Sequence, residues 1–344
     1  MEATILEADQ FIKKAVEIPL ADVRTPLEYE HGHIPGAKLF PLFSNEERAE
    51  VGALYAKNGS EKAIEKGYEI VGPKLILYLK EAIEIAPTRE LYMYCWRGGM
   101  RSSSLAWLLS FSGFKINILK GGYKAYRAFC REQLSKPTSL ILLGGYTGSG
   151  KSEILDYLET KGEQVIKLEK IANHKGSAFG WIGEEKQPSQ EQFENSLSEC
   201  WLKLDLKKTI WIEDESINIG RVQVPRELFS QMETAPVVVI GNDMKNRVNR
   251  LVSDYKHGSP EELVEVFTRI KTRIGLNNSK LAIEAVNRNE LHIAAEIALN
   301  YYDKAYLEKL NLRKADSKYP LEHKGNIEKL AEYLLEFKNK INQE

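Results

Sequence analysis

The stretch Ser139-Leu140-Ile141-Leu142-Leu143-Gly144-Gly145-Tyr146-Thr147-Gly148-Ser149-Gly150-Lys151-Ser152 decides how the second half of the chain is built. Its first five residues are a short apolar run closing on two glycines, the pattern of a buried strand. From Gly145 onward it matches G-x-x-x-x-G-K-[ST] in full, between an expected strand and an expected helix over about 151–160, which is the context the motif requires. In such a loop Gly145, Thr147, Gly148, Ser149 and Gly150 offer backbone N–H groups to a phosphate. Lys151 adds a point charge, and the Ser152 hydroxyl can ligate a metal. A phosphate or diphosphate is therefore expected here, and the motif alone does not say which compound carries it.

Downstream, Gln164–Leu168, Thr209–Ile212 and Pro236–Ile240 read as further strands, and residues 245–344 as mostly helical, charged and amphipathic. Trp211-Ile212-Glu213-Asp214-Glu215-Ser216 ends a strand in three acids. In P-loop enzymes that hydrolyse nucleotides, an acid at this place holds a metal, so Glu213, Asp214 and Glu215 are candidate metal or substrate contacts. Upstream, the polar Ser135-Lys136-Pro137-Thr138 marks a boundary. Before it, Ala21–Arg24 reads as a strand end, 61–86 as helical, Glu90–Tyr94 as a strand, Met100–Phe111 as a helix and Ile116–Leu119 as a strand. Strands alternating with helices on both sides of the boundary predict two parallel α/β domains, 1–135 and 136–344, the second with a helical carboxyl-terminal portion.

Composition narrows the class. The 344 residues carry 48 Lys+Arg against 49 Asp+Glu, which excludes nucleic-acid binding by bulk charge but not by a local patch. Three cysteines (Cys95, Cys130, Cys200) are too few for a disulfide scaffold and fit reduced thiols in the cytoplasm. No run approaches the roughly 18 apolar residues of a membrane helix, and the first residues lack the pattern of a signal peptide. A cytoplasmic protein with no membrane contact is expected.

The first domain carries its own chemistry in Cys95-Trp96-Arg97-Gly98-Gly99-Met100-Arg101-Ser102-Ser103. A cysteine at a strand end, two glycines and an opening helix form an anion cradle. The same field, with Arg97 and Arg101, favours the thiolate that acts as a nucleophile. Cys130 and Cys200 lack such surroundings and read as structural. From 101 to 136 there are seven basic residues against one acid, Glu132. This is either a solvated helix face or a surface that meets a polyanion.

This loop resembles the active-site loop of the rhodanese family. Asp22-Val23-Arg24-Thr25-Pro26 with Glu28, then Gly32-His33-Ile34-Pro35-Gly36-Ala37, resembles the amino-terminal signature, and Lys120-Gly121-Gly122-Tyr123 the carboxyl-terminal one. The spacing Cys-x5-Arg is one residue longer than in a typical sulfurtransferase, matches rhodanese-related phosphatases and leaves room for a bulkier donor. A rhodanese-like domain followed by a P-loop domain resembles the tRNA 2-selenouridine synthase family over nearly the whole chain. Supporting segments are Asn173–Gly180, Gln187–Asn195, Glu213–Ser216 with Ile219-Gly220, and Tyr301-Tyr302-Asp303 with Tyr306.

The resemblance implies a transferase acting on 2-thiouridine at the wobble position of the tRNA anticodon stem-loop. The sulfur is first geranylated from geranyl diphosphate, and selenium from selenophosphate then replaces the S-geranyl group. It implies Cys95, Arg97 and Arg101 as the selenium-handling residues and the P-loop as the diphosphate site. His174, Ser177, Gln187, Ser189 and Gln190 are further candidate substrate contacts. Geranyl diphosphate and selenophosphate are substrates, no tightly bound cofactor is expected, and Mg²⁺ is permitted by Ser152 and the acids at 213–215. A selenophosphate-producing enzyme is a candidate partner. Arg247, Arg250, Arg269, Lys271 and Arg273 either grip the tRNA backbone or form a solvated face. The rival reading is an ATP-dependent tRNA sulfurtransferase that activates its substrate at the P-loop. Lesser rivals are a phosphatase-like module fused to a kinase-like domain, and a binding protein without turnover.

Overall fold

The computed structural model describes residues 3–15, 17–255, 258–313, 317–322 and 326–341. The chain forms two compact units. One comprises residues 1–134 with 194–199, and the other 135–193 with 200–344.

The first unit is built on a five-stranded, wholly parallel sheet in the order β1-β5-β4-β2-β3. Its elements are β1 (Thr4–Leu6), α1 (Ala8–Lys14), β2 (Leu20–Asp22), α2 (Pro26–His31), β3 (Lys38–Leu39), α3 (Asn45–Asn58), α4 (Ser60–Val71), α5 (Leu75–Ile85), β4 (Glu90–Tyr94), α6 (Met100–Phe111), β5 (Lys115–Leu119) and α7 (Gly122–Leu134). In β4 and β5 every residue after the first is buried, as expected of inner strands covered on both faces. The single helical stretch expected over 61–86 is interrupted by a 3₁₀ turn at Gly72–Lys74. Pro73 cannot donate a helical hydrogen bond, and the chain restarts as α5. The short strands β1 and β3, three and two residues long, carried no readable pattern.

The amino-terminal signature is scaffold. Asp22 and Arg24 are fully buried and paired at 2.6 Å, and the guanidinium also donates to the Gly32 carbonyl at 2.6 Å. It lies 3.9 Å from the centroid of the Tyr123 ring. Thr25 and Glu28 close a reciprocal capping box on α2, with Pro26 in its first turn.

The second unit holds β6 (Leu140–Gly145), α8 (Lys151–Thr160), β7 (Gln164–Ile166), α9 (Leu168–Ala172), the two ends of α10 (Gln190–Leu202, whose residues 194–199 count with the first unit), β8 (Ile210–Glu213), β9 (Asn218–Ile219), β10 (Val222–Gln223), α11 (Arg226–Thr234), β11 (Val237–Gly241), α12 (Met244–Tyr255), α13 (Pro260–Arg269), α14 (Lys271–Ile274), α15 (Leu276–Asn287), α16 (Leu291–Asn311), β12 (Lys318–Glu322) and α17 (Ile327–Ile341). The sheet order is β12-β11-β6-β8-β7, again all parallel, and β9 and β10 form a small antiparallel pair. All six residues of β6 are buried at the sheet centre. Strand β7 stops at Ile166, two residues short of the expected end, because Lys167 caps α9 and Leu168 opens it. The expected helical tail contains β12, a half-exposed edge strand beside β11. A separate helical core of α13, α15 and α16 packs around Phe179, Val266, Phe267, Ala294 and Ala298. No helix among the described residues is long and apolar enough to cross a membrane.

Candidate functional site

In the first unit, Cys95 follows β4 directly and is 3% exposed. Its Sγ lies 3.3 Å from Ser102 Oγ and 3.9 Å from the Gly99 carbonyl oxygen. The loop and the glycines before α7 interlock. A Cβ on Gly122 would stand 2.3 Å from the Cys95 carbonyl oxygen and 2.5 Å from Gly98 N, and one on Gly98 would stand 2.8 Å from the Leu119 carbonyl oxygen. Both residues have positive φ, so only glycine lets the two backbones approach this closely. The carbonyls of Cys95 and Trp96 accept from Tyr123 N and Lys124 N, which turns the loop's remaining polarity to its amides. Among the described residues, no protein acceptor takes the N–H groups of Trp96, Arg97, Gly98 or Gly99. Together with the start of α6 they form a cradle for an anion.

The two arginines differ. Arg97 is exposed on the loop. Arg101 is committed to Glu28, at 2.6 and 3.2 Å, where it ties α6 to α2. Burial pulls the Glu28 carboxyl up, but hydrogen bonds from Arg101 and the Thr25 amide outweigh it and hold the group below the usual range. The expected phosphate-binding role of Arg101 therefore meets an existing carboxylate partner. The basic stretch is similarly reduced: Lys115, Lys120 and Arg127 pair with Glu90, Glu7 and Glu194. Cys130 is buried, and burial pushes its thiol up, as suits a structural residue.

In the second unit, the P-loop leaves β6 beside β11 and opens α8. A Cβ on Gly145 would stand 2.3 Å from the Ile240 carbonyl oxygen, and Gly145, Gly148 and Gly150 all have positive φ. The amides of Thr147, Gly148 and Gly150 have no protein acceptor among the described residues. Ser149 is fully buried, and its amide donates to the Tyr146 carbonyl at 3.1 Å. Lys151 Nζ reaches back to the Gly145 carbonyl at 3.3 Å. The loop borders a cavity of ≈ 410 Å³, which Lys151, Ser152, Glu169, Lys175, Ser177 and Glu215 also line. That volume lies within the usual range of small-molecule sites.

The acids at the end of β8 separate by role. Asp214, an expected metal or substrate contact, borders the cavity but is held in a cluster. Arg313 reaches it at 3.0 Å, Lys309 at 3.2 Å, and the Tyr306 hydroxyl donates to it at 3.4 Å. Glu213 accepts the Glu169 amide at 2.8 Å and so fixes the start of α9. Glu215 faces the cavity. Glu169, which the sequence reading missed because it lay just past an expected strand and carried no motif, converges on it: a Cβ on Gly176 would be 2.8 Å from a carboxylate oxygen of each. Burial, then neighbouring carboxylates, pushes Glu169 and Glu213 up to about 7 and Glu215 up to about 8. No group of three or more His, Cys, Asp or Glu side chains is arranged to hold a metal ion among the described residues.

These acids make stability pH-dependent. The folded Glu215 carboxyl holds its proton more tightly than the unfolded one, so its contribution is complete below pH 4.5 and is lost as pH rises toward about 8. Glu215→Gln, which stays neutral, is expected to raise the melting temperature relative to the native chain at pH 8. That gap should close toward pH 4.5, as thermal unfolding across the interval would record. A gap independent of pH would contradict the proton-holding assignment.

Other expected contacts have structural occupations. Gln187 donates to the carbonyls of Ala172 and Ile219, both at 3.0 Å, and accepts the Arg221 amide at 2.9 Å. Ser189 caps α10 by accepting the Gln192 amide at 3.0 Å. Gln190 exchanges two hydrogen bonds with the Gln223 backbone. Gln187 and Gln190 thus pin the segment at the start of α10 to the β9–β10 pair and its turn, while Ser189 begins the helix. His174 is buried between Gly180 and Gly220. Burial lowers its pKa, and its Nδ1 has no hydrogen-bond partner among the described residues. Arg247, expected as a tRNA contact, is 3% exposed; it donates to the Thr147 carbonyl at 2.9 Å and pairs with Asp303, bracing the P-loop from behind. Arg250 pairs with Glu153, and Arg269 donates to the Ala178 carbonyl, whereas Lys271 and Arg273 are exposed. The Tyr301–Tyr306 segment is explained at the same time: Tyr302 accepts the Ala178 amide, Asp303 holds Arg247, and Tyr306 meets Asp214.

Comparison with known proteins gives the same division. Residues 4–129 match the model of the rhodanese-like domain, and residues 138–288 that of the tRNA 2-selenouridine synthase AAA domain. A tRNA 2-selenouridine synthase of Shewanella sediminis is 31% identical over 92% of this chain and 94% of its own length. One from Shewanella denitrificans is 37% identical over 74% of this chain and 70% of its own, and one from Bdellovibrio bacteriovorus 40% identical over 69% and 64%. A crystal structure of the N-terminal domain of a putative ATP/GTP binding protein from Clostridium difficile 630 is 41% identical, covering 37% of this chain and 98% of its own, at a TM-score of 0.32. Matched in both of its halves and along nearly its whole length, the chain belongs to the tRNA 2-selenouridine synthase family.

Proposed function

We propose that this transferase converts 2-thiouridine at the wobble position of cytoplasmic tRNA to 2-selenouridine in two steps, S-geranylation from geranyl diphosphate and then selenation from selenophosphate. The observation that carries the reading is the pair of anion cradles on one chain. One lies over a cysteine; the other has a lysine, and its strand-end Asp214 is already neutralised by Lys309 and Arg313. A P-loop of the second kind suits a diphosphate that is held and released better than metal-dependent phosphoryl transfer.

The chemistry needs both sites. A thiocarbonyl carbon is a poor electrophile, and bare sulfide leaves badly. When sulfur attacks C1 of the geranyl group, the carbon–oxygen bond to diphosphate breaks. The amides of Thr147, Gly148 and Gly150, with Lys151, stabilise the departing charge. The base, now S-alkylated and without its N3 proton, has a carbon open to addition and a thiol as leaving group. The selenium of selenophosphate adds to that carbon with help from Cys95, the carbon–sulfur bond breaks and geranyl thiol departs with a proton, and attack of water on phosphorus then breaks the phosphorus–selenium bond, leaving 2-selenouridine and phosphate. Arg97 and the amides of 96–99 hold the phosphate end of the selenium donor, and Arg101 acts through Glu28 by fixing the first turn of α6. The wobble base must be unstacked to be reached.

The test is incubation of the protein with 2-thiouridine tRNA and each donor, followed by mass analysis of the nucleosides. Geranyl diphosphate alone should give the S-geranyl nucleoside, and both donors should give 2-selenouridine. A strict requirement for ATP, with no S-geranyl product, would establish the sulfurtransferase-type reading instead.

A further inference from the structure

Beside the phosphate cavity lies a second, apolar recess of ≈ 40 Å³, lined by Phe179, Leu251, Tyr255, Phe267, Ala294 and Ala298 among others. Leu251 and Tyr255 line both spaces, one helical turn apart on α12. Phe179 packs against Tyr255 at 6.0 Å and against Phe267 at 5.0 Å between ring centroids, which makes one wall rigid. The opposite wall is α16, which presents alanines where larger residues would fill the space. P-loop cavities that serve nucleotides need polar groups beyond the phosphates for base and ribose. Here the adjoining space is hydrocarbon-lined.

The geometry points to the recess as the seat of the distal end of the donor's hydrocarbon chain, with α16 acting as the stop that sets its length. We infer this on top of the proposed prenyl diphosphate donor. The diphosphate sits on the P-loop, the first isoprene unit crosses the larger cavity past Tyr255, and the chain terminus enters between Phe179, Phe267 and Ala298. A recess this small takes a few carbons and closes behind them. On this assignment a five-carbon chain is expected to fall short of it and a fifteen-carbon chain to overrun it.

Binding of inorganic diphosphate, dimethylallyl diphosphate, geranyl diphosphate and farnesyl diphosphate to the full chain, followed by calorimetry, tests the assignment. Geranyl diphosphate is expected to bind at least about 10-fold more tightly than inorganic diphosphate, a gain that burial of a few methylene groups supplies. Ala298→Leu, which fills the recess, should cut that advantage to about 3-fold or less while inorganic diphosphate binds as before. Leu291→Ala, which opens the recess at α16, should raise farnesyl diphosphate affinity relative to geranyl diphosphate. Equal binding of the four ligands by the native chain overturns the assignment, and so does a geranyl advantage that survives Ala298→Leu. If Ala298→Leu also loses inorganic diphosphate, its fold is damaged and Leu291→Ala decides: an unchanged farnesyl-to-geranyl ratio overturns the proposal. Chain-dependent binding without any S-geranyl nucleoside would refute the transfer reaction and leave the recess assignment standing.

Discussion

Cys95→Ala is expected to reduce 2-selenouridine formation by on the order of 10³-fold or more, while S-geranyl nucleoside continues to form and now accumulates. The expectation rests on position. Cys95 follows the end of β4 where the cradle begins, and the amides of 96–99 that follow it have no protein acceptor among the described residues. The substitution removes one buried sulfur from between Gly99 and Ser102 and should cost only about 1 kcal/mol of stability, so loss of folding does not explain a loss of this size. Cys130→Ala is the matched control. It removes a buried sulfur from α7 of the same unit and should leave selenation unchanged. Selenation at the native rate in Cys95→Ala would remove this residue from the mechanism.

Lys151→Ala is expected to slow geranyl transfer by about 10²- to 10³-fold, the scale of losing one preorganised stabiliser of departing charge. Selenation of tRNA that already carries the S-geranyl group should proceed at the native rate. The ammonium is the charge at the mouth of the P-loop, and the carboxyls of Glu169 and Glu215 lie close enough for it to lower both of their pKa values. Removing it takes from the diphosphate the cation that the P-loop itself supplies and leaves two acids nearby. Supplying the geranylated tRNA separates this outcome from general damage: a variant that fails both steps would speak against a role confined to diphosphate departure.

How far the sequence could be read varied with how local the cause was. Strand β6 and the P-loop were legible because a continuous buried run and a loop of backbone donors have the same composition wherever they occur. The Cys95 loop was legible for the same reason, and the structure adds why Gly98 and Gly122 accompany it: each occupies the space the other's side chain would need. Strand β12 was not legible. Lys318-Tyr319-Pro320-Leu321-Glu322 has a proline and charged ends, and becomes a strand only because β11 offers a free edge on which a missing N–H is tolerated. Nor were the arginines. Arg247 looked like a surface cation, yet it is buried because Asp303, more than fifty residues away, neutralises it behind the P-loop.

The acids after β8 show where the division lies. The sequence alone established two parallel α/β units, the placement of a cysteine and a phosphate loop at strand ends, and the family to which such a pair belongs. All of these depend on short contiguous runs. Only the tertiary structure decided that Asp214 is neutralised, that Glu215 and Glu169 converge on one cavity, and that an apolar recess adjoins it. Those outcomes depend on charge pairing and packing between α9, α12 and α16, and the free energy of a side chain is set by what folds against it, which no contiguous run records.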